Sequence, residues 1–220
     1  MPTTLSTQEH ALTFYDMSRI ETLISQEALE ARIKELGAEI TRDYQGRGDL
    51  VLICVLKGSY LFLADLSRAI DLPLTVDFMS VSSYGHGFKT SGVVRLIQDL
   101  SESIEGKHVL VVEDIIDTGL TMSYLLENLQ TRRPASLKVV SLLHKPSKAK
   151  VKVPVDYLGF SIEDRFVIGY GLDYQGQFRN MPFIGVNQGE GPPLSTPSPS
   201  APSPSDTSPS TPAPKLTQDT

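Results

Sequence analysis

Cysteine is nearly absent from this chain of 220 residues, and the one present, Cys54, sits inside the apolar run Leu50–Leu56. Disulfide scaffolds and cysteine-rich zinc sites are thereby excluded, and Cys54 reads as a buried strand thiol rather than a nucleophile. No run approaches the ~18 apolar residues that a membrane span needs. The opening Met1-Pro2-Thr3-Thr4-Leu5 has no basic stretch followed by an apolar core, so a cytoplasmic protein is expected, with no membrane partner. Positive charge is also short: 20 Lys and Arg face 26 Asp and Glu, a formal net charge of −6. A general nucleic-acid binder needs a basic surface, so no nucleic-acid partner is expected. Repeats of the solenoid kind are missing. So are Gly-x-x-x-x-Gly-Lys-Ser/Thr and Gly-x-Gly-x-x-Gly, which excludes a nucleoside-triphosphate P-loop and a dinucleotide fingerprint.

What is present, 40% hydrophobic and 21% charged residues, suits one globular domain with a sizeable core. Composition then changes abruptly near Gly189, and nine of the fifteen prolines fall beyond it among Ser, Thr, Gly and Ala. Such a segment cannot bury enough apolar surface to offset its ordering entropy. A folded domain over residues 8–187 and a disordered Pro/Ser/Thr-rich tail over 188–220 are expected. Without the tail the domain keeps 19 basic and 23 acidic residues, so the acidity is its own.

Ser25 stands as an N-cap before Leu29, Ile33, Leu36 and Ile40, whose spacing is that of one helix face ending near Gly46. Continuous apolar runs at Leu50–Leu56, 108–112 and 137–143, with another strand at 74–81, alternate with helical stretches at 60–70 and Leu120–Gln130. An α/β fold is expected, with a mainly parallel sheet flanked by helices on both faces. Residues 155–186 read as short strands and loops.

The stretch from Val109 to Met122 carries the chemistry: an apolar strand, the acids Glu113 and Asp114, then Ile115-Ile116-Asp117-Thr118-Gly119-Leu120-Thr121 leading into a helix. A helix N-terminus offers unpaired amides and a positive dipole end, Gly119 permits close backbone approach, and Thr118 and Thr121 add hydroxyls, so one phosphate monoester fits without a lysine. Two adjacent acids at the carboxyl end of a strand would repel that phosphate unless ribose hydroxyls or a hydrated magnesium ion met them. A plain acidic helix cap after a buried strand is the alternative.

That stretch closely resembles the phosphoribosyl pyrophosphate motif of type I phosphoribosyltransferases, in the hypoxanthine-guanine branch, and the resemblance extends over most of residues 12–186. It implies a small hood subdomain, a flexible lid loop, Mg2+ as cofactor, and phosphoribosyl pyrophosphate with a 6-oxopurine as substrates. It implies that Glu113, Asp114, Asp117, Thr118, Gly119, Leu120 and Thr121 bind the ribose phosphate, with Asp117 as general base near purine N7. Lys57-Gly58-Ser59 resembles the pyrophosphate loop, commonly preceded by a non-proline cis peptide, here Leu56-Lys57, and Arg179 resembles the arginine touching the same group. Lys145 would donate to the 6-oxo group, Phe166 would stack on the purine, and Val167 would meet its edge. Asp173 would also bind the purine, through backbone groups near its 2-position, and would hold a second magnesium ion beside the one at Glu113 and Asp114. Ser83 and Tyr84 match the lid pair, and a lid would keep water from a cationic ribosyl centre. The family also implies a homodimer or homotetramer. A nucleotide-sensing regulator on the same pocket, or an interaction protein working through its Pro-rich tail, remain the competing readings.

Overall fold

The computed structural model describes residues 20–83 and 94–187. In chain order the elements are β1 (Ile20–Ile24), α1 (Gln26–Tyr44), β2 (Leu50–Leu56), α2 (Tyr60–Ala69), β3 (Leu74–Ser83), β4 (Val94–Gln98), β5 (His108–Ile116), α3 (Leu120–Gln130), β6 (Ser136–His144), β7 (Tyr157–Ser161), β8 (Val167–Ile168) and β9 (Ile184–Asn187). Six strands form one sheet in the order β4-β3-β2-β5-β6-β7, parallel throughout except that β4 runs antiparallel to β3. The remaining three make a small antiparallel sheet, β1-β9-β8.

β2 is apolar throughout, and β5 and β6 are apolar over most of their length, because helices cover both faces of these central strands. Alternation along each strand sends Leu52 and Cys54, Leu110 and Val112, and Val140 and Leu142 into the layer built with α1 and α2. Val51, Ile53, Val109, Val111 and Val139 go to the opposite layer, against Leu125 and Leu129 of α3. Each fully buried Leu or Ile contributes roughly 1.5–3 kcal/mol of transfer free energy. Cys54 is 0% exposed. Burial, helped by the charges of Glu113 and Asp114, pushes its thiol up to about 12, which removes it from nucleophilic chemistry.

The Ser25 hydroxyl accepts the Ala28 amide at 3.3 Å, and Leu29, Ile33, Leu36 and Ile40 are all buried. α1 stops where the Gln45 amide caps Thr41 O at 2.9 Å before Gly46. Several boundaries differ from expectation: β3 continues to Ser83, β6 spans Ser136–His144, and two others have a clear cause. β5 runs through the acid pair to Ile116, since Glu113, Ile115 and Ile116 still pair with Ser141, Leu143 and His144 of an equally long β6. α2 stops at Ala69 because Ile70 already has extended backbone. Among the described residues no helix is long and apolar enough to cross a membrane. Tyr84 of the expected lid pair and the segment 188–220 lie outside the described residues; Ser83 closes β3, opposite Val94.

Candidate active site

The turn between β5 and α3 lies at the carboxyl end of the sheet, where open α/β sheets bind ligands. Gly119 occupies the N-cap of α3 with φ 80°, and a Cβ there would fall 2.3 Å from Val151 O. The approach is that close because the amides of Lys150 and Val151 both donate to Thr118 O, at 3.0 and 3.1 Å. Glycine is therefore required twice over, by conformation and by space. The first turn of α3 carries no acidic residue, and the Leu120 amide reaches only as far as the Thr118 hydroxyl, at 3.5 Å. The positive end of the helix thus faces the crevice, ready for an anion.

Beside it the pyrophosphate-loop segment and the acid pair interlock. The Leu56-Lys57 peptide is cis, as the resemblance implies. Ser59, 0% exposed, donates to Val55 O at 2.7 Å and accepts the Asp114 amide at 3.1 Å. A Cβ on Gly58 would stand 1.4 Å from Asp114 Oδ2. A Cβ on Gly171 would stand 2.0 Å from Gly58 O. Three remote segments therefore meet with no room for a methyl group.

Burial, and then the charge of Asp114, holds the Glu113 carboxyl well above its usual range. Burial likewise pushes Asp114 up to about 6, against the pull of the Ile115 amide and of Arg179. Glu113 Oε2 and Asp117 Oδ1 are buried without a hydrogen-bond partner among the described residues. Buried polar oxygens are normally paired, so these two, with the Tyr44 hydroxyl, stand out as acceptors that the described protein atoms leave unsatisfied. A stability signature follows. A carboxyl raised in the folded state stabilises the fold fully only below its unfolded pKa, near ~3.9, and that contribution is lost as pH rises through about 6. The melting temperature of the ligand-free protein is expected to fall between about pH 4 and 6 and to level off above that range. Asp114→Asn should flatten that fall; an equally steep slope in the variant would refute the assignment.

Arg179 donates to Gly171 O at 2.6 Å and pairs with Asp173 Oδ1 at 2.5 Å, while Asp173 Oδ2 accepts the Gly176 amide at 2.7 Å. Each oxygen of Asp173 thus has one protein partner and keeps acceptor capacity for another. Lys57 is exposed, and a depression of about 500 Å³ flanks the Arg179 turn, lined in part by Tyr60 and Asn180.

On the base side, the Lys145 amide donates to Ile116 O at 2.9 Å as β6 ends. Its side chain is 8% exposed, with the ammonium 3.8 Å from Asp164, which also pairs with Lys148 at 3.1 Å. The Asp164 bond, and next the Asp117 charge, raise the Lys148 pKa. Phe166 is 47% exposed and meets Tyr174 edge-on, with ring centroids 5.8 Å apart, which leaves ring surface for stacking. Val167 is buried in β8, opposite Val186.

Two contacts at the candidate site escape a reading of the sequence. Asp164 lies next to recognised residues, but its pairing with Lys145 depends on the fold alone. Ser59 stands where a helix N-cap would, yet makes no cap bond and instead ties Asp114 to β2. Among the described residues no group of three Asp, Glu, His or Cys side chains converges as a metal cage.

The model of the family described as the phosphoribosyl transferase domain matches residues 20–175. The hypoxanthine-guanine phosphoribosyltransferase of Bacillus subtilis is 49% identical over 172 residues, covering 78% of this chain and 94% of that one. The hypoxanthine phosphoribosyltransferase of Escherichia coli K12 is 49% identical over 167 residues, covering 76% and 94%. Among solved structures, a hypoxanthine phosphoribosyltransferase of Staphylococcus aureus superposes with a TM-score of 0.75 at 46% identity, covering 78% of this chain and 93% of that one.

Proposed function

The chain belongs to the phosphoribosyl transferase family, and from that premise we propose that it transfers the 5-phosphoribosyl group of phosphoribosyl pyrophosphate to hypoxanthine or guanine, giving IMP or GMP and pyrophosphate in purine salvage. The observation that carries this reading is the buried, unpartnered carboxylate oxygen on Glu113 and on Asp117, on either side of Asp114 and at the mouth of a helix N-terminus. A sugar phosphate with two adjacent hydroxyls satisfies this set: phosphate on the α3 amides and Thr118 and Thr121, hydroxyls on Glu113 and Asp114.

In this reading Lys57, Gly58 and Arg179 hold the pyrophosphate, while Lys145, Phe166 and Val167 hold the purine. A purine nitrogen displaces pyrophosphate from C1 through an oxocarbenium-like transition state, so positioning and charge control supply most of the rate. The Asp117 carboxylate takes the N7 proton and favours positive character at the sugar. Magnesium suits the donor set, because it is usually held by one or two carboxylates with substrate phosphates. Glu113 and Asp114 would hold one magnesium ion and Asp173 a second, and when bound they would stabilise charge on the departing pyrophosphate. The catalytic unit is proposed to occupy residues 8–187, to work in the cytoplasm, and to assemble as a homodimer or homotetramer, with 188–220 adding nothing to the chemistry.

Pyrophosphate release with hypoxanthine, guanine, xanthine, adenine and orotate offered separately, with magnesium and phosphoribosyl pyrophosphate, tests the reading. Turnover restricted to 6-oxopurines is expected. Bound phosphoribosyl pyrophosphate with no turnover on any base would instead favour a nucleotide-sensing regulator.

A further inference from the structure

The turn 169–171 has three successive residues in the left-handed region: Gly169 at φ 93°, Tyr170 at 47° and Gly171 at 97°. Glycine adopts such backbone freely, whereas a tyrosine there is strained unless its surroundings hold it. Tyr170 is 7% exposed, and its hydroxyl donates to Asp65 Oδ2 at 2.5 Å. Asp65 sits in α2 and also pairs with Arg68. Around the turn the backbone is laced on both sides: Tyr170 N to Met181 O at 2.9 Å, Gly171 N to Arg179 O at 2.9 Å, and Gly169 with Leu172 reciprocally at 3.0 Å.

The two ends of this contact lead to the same place. α2 begins immediately after Lys57-Gly58-Ser59, and the Lys57 carbonyl accepts the Tyr60 amide at 3.4 Å. The turn carries Gly171, which packs against Gly58 O and accepts from Arg179, and it leads directly into Asp173. Val167 precedes it and is held separately through the pairing of β8 with β9, while Phe166, just before β8, packs edge-on against Tyr174.

We propose that the Tyr170–Asp65 hydrogen bond is a positioning tether for the pyrophosphate half of the site, fixing the turn that presents Arg179 and Asp173 against the Lys57-Gly58 loop. The inference rests on assigning those residues to pyrophosphate. Neither Tyr170 nor Asp65 touches substrate in this account; they act through Gly171 and Gly58.

Steady-state kinetics of Tyr170→Phe, which removes one oxygen atom, test it. KM for phosphoribosyl pyrophosphate and the inhibition constant of pyrophosphate are expected to rise by about tenfold, the loss of one hydrogen bond to a charged acceptor. KM for hypoxanthine should hold. Asp65→Ala should reproduce the effect and add nothing in the Tyr170→Phe background, whereas Asp65→Asn, which keeps an acceptor oxygen, should retain most of the wild-type affinity. An unchanged KM for phosphoribosyl pyrophosphate in Tyr170→Phe, or an equal rise for both substrates, overturns the tether. Lys57→Ala serves as the reference. If it too leaves KM for phosphoribosyl pyrophosphate unchanged, the pyrophosphate assignment itself fails; if only Tyr170→Phe is silent, the tether alone does.

Discussion

Replacing Asp117 by asparagine should lower turnover with hypoxanthine by about a hundredfold or more, while binding of phosphoribosyl pyrophosphate changes far less. Asparagine has nearly the same shape and keeps an acceptor oxygen, so the turn from Ile116 to Thr118 is preserved. What is lost is the ability to take a proton and the negative charge that faces the sugar as positive character develops there. Asp117 Oδ1 is buried without a protein partner among the described residues, so no internal hydrogen bond is broken by the change. Single-turnover rates at saturating substrates separate chemistry from binding, and near wild-type turnover in the variant would remove Asp117 from the mechanism.

The second large effect comes from a single methyl group. Gly58→Ala places a Cβ 1.4 Å from Asp114 Oδ2, so either the Asp114 carboxylate turns away, breaking its 2.8 Å bond from the Ile115 amide, or the loop moves. The Asp114 amide is tied to Ser59, and the Gly58 carbonyl is packed against Gly171, so a loop shift carries both neighbours with it. Either response displaces groups by the order of an ångström, and displacement on that scale costs about a hundredfold in rate when it moves groups that position the reacting centre. kcat/KM for phosphoribosyl pyrophosphate is the quantity to measure, with thermal stability beside it. In an Asp114→Ala background the whole carboxyl group is gone, so the same alanine at position 58 should cost much less stability. Equal destabilisation in both backgrounds would place the clash elsewhere.

Much of the fold was legible because it is local. Ser25 and the spacing of Leu29, Ile33, Leu36 and Ile40 define α1 without reference to anything distant, and the run Leu50–Leu56 can only be a strand covered on both faces. The strand Ile20–Ile24 carries no such mark, since Ile20-Glu21-Thr22-Leu23-Ile24 becomes a strand by meeting β9 near the far end of the domain. The same division runs through the site. Glu113 to Thr121 is contiguous, so its chemistry could be read as one phrase. Tyr170 with Asp65, and Lys145 with Asp164, are partners only after the sheet has brought remote loops together, and no spacing in the chain encodes them.

The ion pairs at the crevice would make substrate binding, in the proposed roles, an exchange rather than an addition. Arg179 already holds Asp173, and Lys145 already faces Asp164. In those roles an incoming pyrophosphate oxygen or purine carbonyl would compete with a carboxylate that is covalently part of the protein, and only the difference between the two contacts would appear as affinity. The same competition would run in reverse once the reaction is over. As a product group left, the resident carboxylate would take its place and supply each cation with a counter-ion.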